Sequence, residues 1–215
     1  MNERQLRLWI EKYLSPSLPD FHYQGGLLYR EPPAPLIRGF FFERVAHEAN
    51  AFFVTAFIQA TYVPKATPVL NMGQRLGRIS GRAEKWWRVG GEDAAEVFSE
   101  VQSYLEREGL PYLAERNTLQ DVVRVYGPEA KDPHTSLIET VAGAYALLGD
   151  TKRALALTDA LIACARKYMD KSPWLQEVLQ RAQELRVSLD ADPRGAVRIL
   201  EERSSTTLAH LGLEA

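Results

Sequence analysis

The residues best equipped for chemistry stand together in one stretch, Gly73-Gln-Arg-Leu-Gly-Arg-Ile-Ser-Gly-Arg-Ala-Glu-Lys-Trp-Trp-Arg88. Arg75, Arg78, Arg82, Lys85 and Arg88 meet a single carboxylate within it, Glu84, and are interleaved with Gly73, Gly77, Gly81 and the pair Trp86-Trp87. Guanidinium groups fork onto phosphate or carboxylate oxygens, and indoles stack on bases or anchor a protein partner, so this is a candidate nucleic-acid or protein contact. The same residues also fit a twisted edge strand blunted by charge, with one tryptophan in the core and the arginines paired to the acidic helix that follows. The second reading takes precedence, because basic residues beside an acidic run usually compensate one another.

The acidic run is Glu92, Asp93, Glu96, Glu100, Glu106, Glu108 and Glu115. Most of it falls on the helix face opposite Val97, Phe98, Val101 and Leu105, which makes a solvated polar face the ordinary reading. The sharper reading is a surface complementary to a basic protein, such as a nucleic-acid-cleaving toxin, where carboxylates speed association and imitate phosphate. The candidate binding residues are therefore Arg75, Arg78, Arg82, Lys85, Trp86 and Trp87 on the basic side and Glu92, Asp93, Glu96 and Glu100 on the acidic side.

No catalytic residue, metal ligand or cofactor is nominated. His22, His47, His134 and His210 have no second histidine or cysteine at metal-ligand spacing, and surface or capping roles suit them. Cys164 reads as a small core hydrophobe in a helix, with no base beside it to make a nucleophile. Glu129-Ala-Lys131, with Asp121 upstream, resembles half of a metal-dependent nuclease site, but such a site needs the pair on a strand and these residues are bracketed by Gly127-Pro128 and Asp132-Pro133. Neither a phosphate-binding glycine loop nor a serine nucleophile elbow is present.

The elements that must position these residues change character along the chain. Leu6, Trp9, Ile10, Tyr13 and Leu14 recur at helical spacing, which predicts an amphipathic helix over 3–14 closed by Ser15-Pro16. Residues 21–29 alternate as one half-buried strand, kinked or bulged at Gly25-Gly26, and Glu31-Pro-Pro-Ala-Pro35 is a connection. Two aromatic runs, 38–45 and 51–62, pair as a long hairpin about the polar turn His47-Glu48-Ala49-Asn50. Phe52, Val54, Ala56, Ile58, Ala60 and Tyr62 make one apolar face that helices must cover. The opposite face, with Phe53, Phe57, Thr55, Gln59 and Thr61, suits a central strand partly covered on its second side. One more strand is expected within 69–80.

From Glu92 the period becomes 3.6. Ala94, Val97, Phe98, Val101, Tyr104 and Leu105 line one helix face, with Gly109 as its stop. Asp132-Pro133, Ser172-Pro173 and Asp192-Pro193 carry the signature of a capping residue before a first-turn proline, and Gly149-Asp150 marks a further turn. Helices therefore start near 133, 151, 173 and 193, as antiparallel hairpins in a stacked array.

Thr140-Val-Ala-Gly-Ala-Tyr-Ala-Leu-Leu-Gly-Asp-Thr-Lys-Arg-Ala-Leu155 resembles the middle of a tetratricopeptide hairpin over about 134–169. Tyr145 and Leu148 stand on its first helix, Gly149-Asp150 at the turn and Ala154 at the helix crossing. Ala142, Thr158 and Leu161 depart from that family, and no second copy follows at its 34-residue interval. Through Ile37-Arg-Gly-Phe-Phe-Phe-Glu43 and Ala56-Phe-Ile-Gln-Ala-Thr-Tyr-Val-Pro64 the whole chain also resembles uncharacterised bacterial domains with an aromatic hairpin and a helical tail. Some of those sit beside toxin genes as immunity proteins, which implies an inhibitor of a toxin.

Length and composition agree with a globular protein: 215 residues, 46% hydrophobic and 25% charged, with a single cysteine that cannot form an internal bridge. The N-terminus lacks a signal-peptide pattern and no stretch reaches the roughly 20 apolar residues of a spanning helix, so a cytoplasmic protein without a membrane partner is expected. Residues 1–91 hold 12 basic against 7 acidic side chains and residues 92–215 hold 14 against 21, a basic front and an acidic back. The fold class is α+β: a small antiparallel sheet of three to four strands packed against an N-terminal helix and a C-terminal array of antiparallel helices. A strand-rich part, 1–91, and a helical part, 92–215, would form one unit with a shared core. The expected function is a non-enzymatic protein-binding module of the immunity or antitoxin kind. Two alternatives stand beside it, a nucleic-acid-binding accessory protein using 73–88, and an enzyme whose site forms only in three dimensions.

Overall fold

Helix α1 (Glu3–Tyr13) starts where the side chain of Asn2 accepts the Gln5 amide at 2.8 Å, and it buries Leu6 and Ile10. A short 3-10 turn at Ser15–Ser17 follows, as Ser15-Pro16 leads one to expect. The computed structural model describes residues 2–48, 50–90 and 94–213. The chain divides into two compact units, one of Met1–Gln59, Thr67–Glu115 and His210–Ala215, the other of Ala60–Ala66 and Arg116–Ala209.

The first unit holds an antiparallel sheet of six strands: β1 (Phe21–Gln24), β2 (Leu27–Arg30), β3 (Leu36–Arg44), β4 (Ala51–Ala60), β5 (Met72–Arg75) and β6 (Trp86–Arg88). The order is β1-β2-β3-β4-β5, with β6 also paired to β4. Six strands replace the three or four expected, for two reasons. Gly25 and Gly26 have φ of 56° and 83°, so they form a two-residue hairpin turn that splits the expected single strand in two. The far edge of β4 is shared end to end by two very short strands, β5 opposite Thr55 to Ile58 and β6 opposite Ala51 to Phe53.

The long hairpin of β3 and β4 forms as its two aromatic runs demand. Phe52, Val54, Ala56 and Ile58 are all wholly buried. On that face the Phe52 ring lies 5.9 Å from Trp87 and 5.8 Å from Phe98, and Trp9 and Tyr13 of α1 close on Phe98 at 6.1 and 5.9 Å. On the other face of β4 Thr55, Phe57 and Gln59 are buried and Phe53 is partly open, so β4 is a central strand covered on most of both sides.

Helix α2 (Ala94–Tyr104) buries Ala94, Phe98 and Val101, but it does not stop at Gly109. A π-helical stretch, Leu105–Gly109, carries it into α3 (Leu110–Ala114), with the Leu110 amide donating to the Leu105 carbonyl. Pro111 accounts for the change of register: it has no N–H for the carbonyl four residues back, and the wider turn gives its ring room. Gly109 serves close packing instead of termination. A β-carbon there would stand 2.5 Å from the Phe40 ring.

The second unit is helical, with α4 (Leu119–Tyr126), α5 (Thr135–Leu147), α6 (Thr151–Tyr168), α7 (Leu175–Ala191) and most of α8 (Pro193–Leu211). α6 packs against both α5 and α7, the neighbour pairing of successive hairpins. Asp150 caps α6 by accepting the Arg153 amide, and Asp192 accepts the Arg194 amide ahead of α8. The other two proline-marked starts lie two residues further on than expected. Asp132 is engaged by Lys167 and by the Cys164 thiol and does not cap α5, and no side chain caps α7. Tyr62, wholly buried, donates to the Thr140 carbonyl at 2.9 Å. Among the described residues no helix is long and apolar enough to cross a membrane.

Candidate functional site

Residues opposite one another on paired strands point to the same face of a sheet. The partners Ala51 and Arg88, Phe53 and Trp86, and Thr55 and Arg75 therefore put Phe53, Arg75, Trp86 and Arg88 on one face, and Phe52 and Trp87 on the other. The two tryptophans part accordingly. Trp87 is 2% exposed, whereas Trp86 is 44% exposed. The Arg75 guanidinium lies 4.0 Å from the centre of the Phe53 ring and that of Arg88 5.8 Å from Trp86, so aromatic and cationic groups alternate along the open face.

The cations are held by carboxylates. Arg75 reaches Glu43 at 2.9 Å and Glu84 at 3.0 Å, Glu84 also takes Arg78 at 3.1 Å, and Arg88 is paired with Glu48. Three guanidiniums thus meet three carboxylates and are compensated by them. Burial works to lower the Arg75 pKa, yet the carboxylates of Glu43 and Glu84 hold it above the ordinary value. Among the described residues the expected pairing of basic segment with following helix is found once, between Lys85 and Glu100 at 2.8 Å. The other acids come from β3, from the β3–β4 turn and from the segment itself. Arg82 is exposed and has no ion-pair partner among the described residues.

Of the acidic candidates, Glu96 is exposed and Glu100 pairs as stated, while Glu92 and Asp93 lie outside the described residues. Glu108 corrects the expectation of a solvated acidic face. It is 3% exposed, and its carboxylate accepts the Gly77 amide at 2.7 Å and the Ser80 hydroxyl at 2.8 Å. The helix thereby holds the turn between β5 and β6 that carries Arg78 and Arg82. Its spacing could have shown this: Glu108 follows Val101 by seven and Leu105 by three, on the inward stripe.

A cavity of about 790 Å³ opens at the turn end of the sheet, lined by Glu3 and Leu6 of α1, Tyr23, the Gly25-Gly26 turn, Phe41 to Glu48, Asn50 and Ala51. Burial above all, and then Glu3, push the Tyr23 phenol above its ordinary pKa and keep it protonated. Among the described residues no three His, Cys, Asp or Glu side chains are placed to hold a metal ion. Asp121 closes a capping box with Thr118 at the start of α4, and Glu129 sits in a 3-10 turn, which is not the strand context a nuclease pair requires. Burial, followed by Asp132, raises the Cys164 thiol pKa, which disfavours the nucleophilic thiolate.

Comparison with protein-family models, with curated proteins and with solved structures finds no match to this chain.

Proposed function

We propose that the chain is a protein-binding module whose contact surface is the open face of β4, β5 and β6 around Trp86. The observation that carries this reading is the exposure of Trp86 on a strand whose neighbour, Trp87, is locked in the core. An indole held on a rigid sheet loses little freedom on binding, and tryptophan and arginine dominate the energetics of protein interfaces. Pairing of Arg75, Arg78 and Arg88 with Glu43, Glu48 and Glu84 supports a protein over a nucleic acid, because affinity for a phosphate backbone comes from uncompensated cations. An inhibitor of a toxin, the role implied by the resemblance to immunity domains, is the specific form of this reading.

The test is affinity capture from the native cell with the wild-type chain and with Trp86→Ser. A stoichiometric protein retained by the first and weakened roughly 30-fold by the substitution, as a hot-spot loss of about 2 kcal/mol requires, supports the module. Retention that does not depend on Trp86 rejects this surface. Salt-sensitive binding of single-stranded oligonucleotide that disappears when Arg78 and Arg82 become alanine would favour the nucleic-acid reading instead.

A further inference from the structure

The sheet ends in outer strands, β1 on one side and β5 with β6 on the other, and the hydrogen-bond register decides which of their main-chain groups are free. In an antiparallel ladder, hydrogen-bonded pairs alternate with pairs whose N–H and C=O groups turn outward. The Glu31 amide donates to the Asp20 carbonyl at 3.4 Å, the Leu76 amide to the Val54 carbonyl at 2.9 Å and the Val89 amide to the Asn50 carbonyl at 2.9 Å. Counted from these bonds, the outward residues are Phe21 and Tyr23 on β1, Gly73 and Arg75 on β5, and Trp86 and Arg88 on β6. The first two edges are partly closed by their own chain: the Phe21 amide donates to Leu18, the Gly73 amide donates to Leu70, and the Arg75 carbonyl accepts from Arg78. Trp86 and Arg88 keep both N–H and C=O without a partner among the described residues, and both residues are exposed. We infer that a second copy of the chain pairs along this edge, β6 against β6 in antiparallel sense about a two-fold axis at Trp87, so that two sheets join into one. The inference goes beyond the protein-binding reading of the open face.

Two outward residues that are two apart exchange places under a two-fold axis through the residue between them. Trp86 of one copy then stands opposite Arg88 of the other, and every free N–H and C=O of the edge meets its counterpart. The side chains suit that register. Residues opposite one another in a ladder share a face, so each indole receives the guanidinium of the other copy across the seam. The contact is made twice, because one chain carries both halves of it. Within the chain the same two groups already lie 5.8 Å apart. Lys85 falls opposite Val89 and Glu84 opposite Gly90, so no like charges face each other directly. Charged side chains are the usual guard of an open edge, and here that guard is disarmed: Arg88 is held by Glu48 and Lys85 by Glu100. An unrelated strand satisfies the main chain, whereas a second copy also brings the cation for Trp86 and the ring for Arg88 at the required spacing. Joined in this way, the two copies present one continuous face with a Trp86 on either side of the axis.

The experiment is sedimentation equilibrium of the full chain, read beside amide hydrogen exchange at low and high protein concentration. A seam this small belongs to the weak class of interfaces, so a monomer–dimer equilibrium with a dissociation constant of about 10–100 µM is expected. Arg88→Pro removes an outward amide donor and spares the ladder to β4, a position where an edge strand tolerates proline. It should weaken the dimer at least tenfold, with thermal unfolding used to verify that the variant is folded. In the wild-type chain, exchange at the Trp86 and Arg88 amides should slow as concentration rises, and this readout decides the matter alone if the proline variant fails to fold. A wild-type chain that stays monomeric at several hundred micromolar, a dimer indifferent to a folded Arg88→Pro, or exchange at the two amides that ignores concentration would each overturn the inference. Its fate is separable from that of the binding module. Capture of a protein that depends on Trp86 by a chain that is monomeric removes the pairing and leaves the module. A dimer sensitive to Arg88→Pro, with no captured protein dependent on Trp86, removes the module and leaves the pairing.

Discussion

The carboxylate of Glu108 takes the backbone amide of Gly77 at 2.7 Å, so a helix acid that is almost wholly buried fixes the turn between β5 and β6. That turn leads directly into Trp86, and the order of the open face therefore depends on a residue that never touches it.

Removing the acid should loosen both. Glu108→Ala leaves the Gly77 amide without its acceptor and the Ser80 hydroxyl with only the Gly77 carbonyl at 3.0 Å, and hydrogen bonds to a charged group are each worth about 1.5–3 kcal/mol. A loss of about 3 kcal/mol in urea unfolding is expected, with Glu108→Gln, which keeps one acceptor oxygen, losing about 1 kcal/mol. Hydrogen exchange at residues 77–85 should quicken in the alanine variant. An unchanged urea midpoint would show that the contact contributes nothing.

The tryptophan pair should split cleanly between stability and binding. Trp87 lies 5.9 Å from Phe52 and 5.5 Å, edge to face, from Tyr104, so Trp87→Ala should lose about 3–5 kcal/mol. Its indole N–H has no hydrogen-bond partner among the described residues, so Trp87→Phe should be much milder than a loss that includes a polar contact. Trp86→Ser, at a half-open position, should stay within about 1 kcal/mol of wild type. Thermal unfolding of the three variants checks the order.

How far the sequence reaches depends on whether a signal is local. The aromatic alternation in 51–62 and the turn chemistry at Gly149-Asp150 report directly on φ, ψ and burial, and they yielded the central hairpin and the helix starts within about two residues. Gly25-Gly26 carries an equally local signal for a two-residue turn, but both halves of 21–29 alternate in phase, which gives the pair the look of a kink in one strand. Gly109 shows the opposite limit. A glycine after an apolar helical run resembles a stop, and only the Phe40 ring, far away in sequence, explains why it is an internal packing position. The candidate face was half legible. Compensation of the arginines by carboxylates was expected from charge alone, but Glu43 and Glu48 come from β3 and its turn, and strand register decides that pairing.

Acid should weaken the start of α4. Arg124 above all, together with the Thr118 hydroxyl, holds the Asp121 pKa below the ordinary carboxylate value of 3.8. A lowered native pKa contributes stability that is present above the unfolded value and is lost as pH falls through the native one. The stabilisation is therefore intact at pH 5 and declines below the ordinary carboxylate range. Asp121→Asn should flatten part of the acid limb of a urea-midpoint profile, and Thr118→Ala should lose about 1 kcal/mol at neutral pH through the cap. Profiles of identical slope for wild type and Asp121→Asn would refute the assignment.

Alkali should act on the second unit through Tyr62. Burial raises its phenol pKa far above the ordinary value of 10.0, while the hydroxyl donates to the Thr140 carbonyl. In the unfolded chain the phenol ionises near its ordinary pKa, and in the native state it stays protonated. The sign follows from linkage: above about pH 10 the unfolded state binds fewer protons, so stability falls as pH rises, by up to about 1.4 kcal/mol per pH unit for this one group. Tyr62→Phe removes the titration along with a single hydrogen bond. It should be less stable than wild type by about 1 kcal/mol at pH 7 and lose less stability between pH 10 and 11.5. Difference absorbance of phenolate provides an independent check, because at least one tyrosine fewer, Tyr62, should titrate in the native protein than in urea until the chain unfolds. A wild-type chain that releases every phenol proton while still folded would contradict the burial of Tyr62.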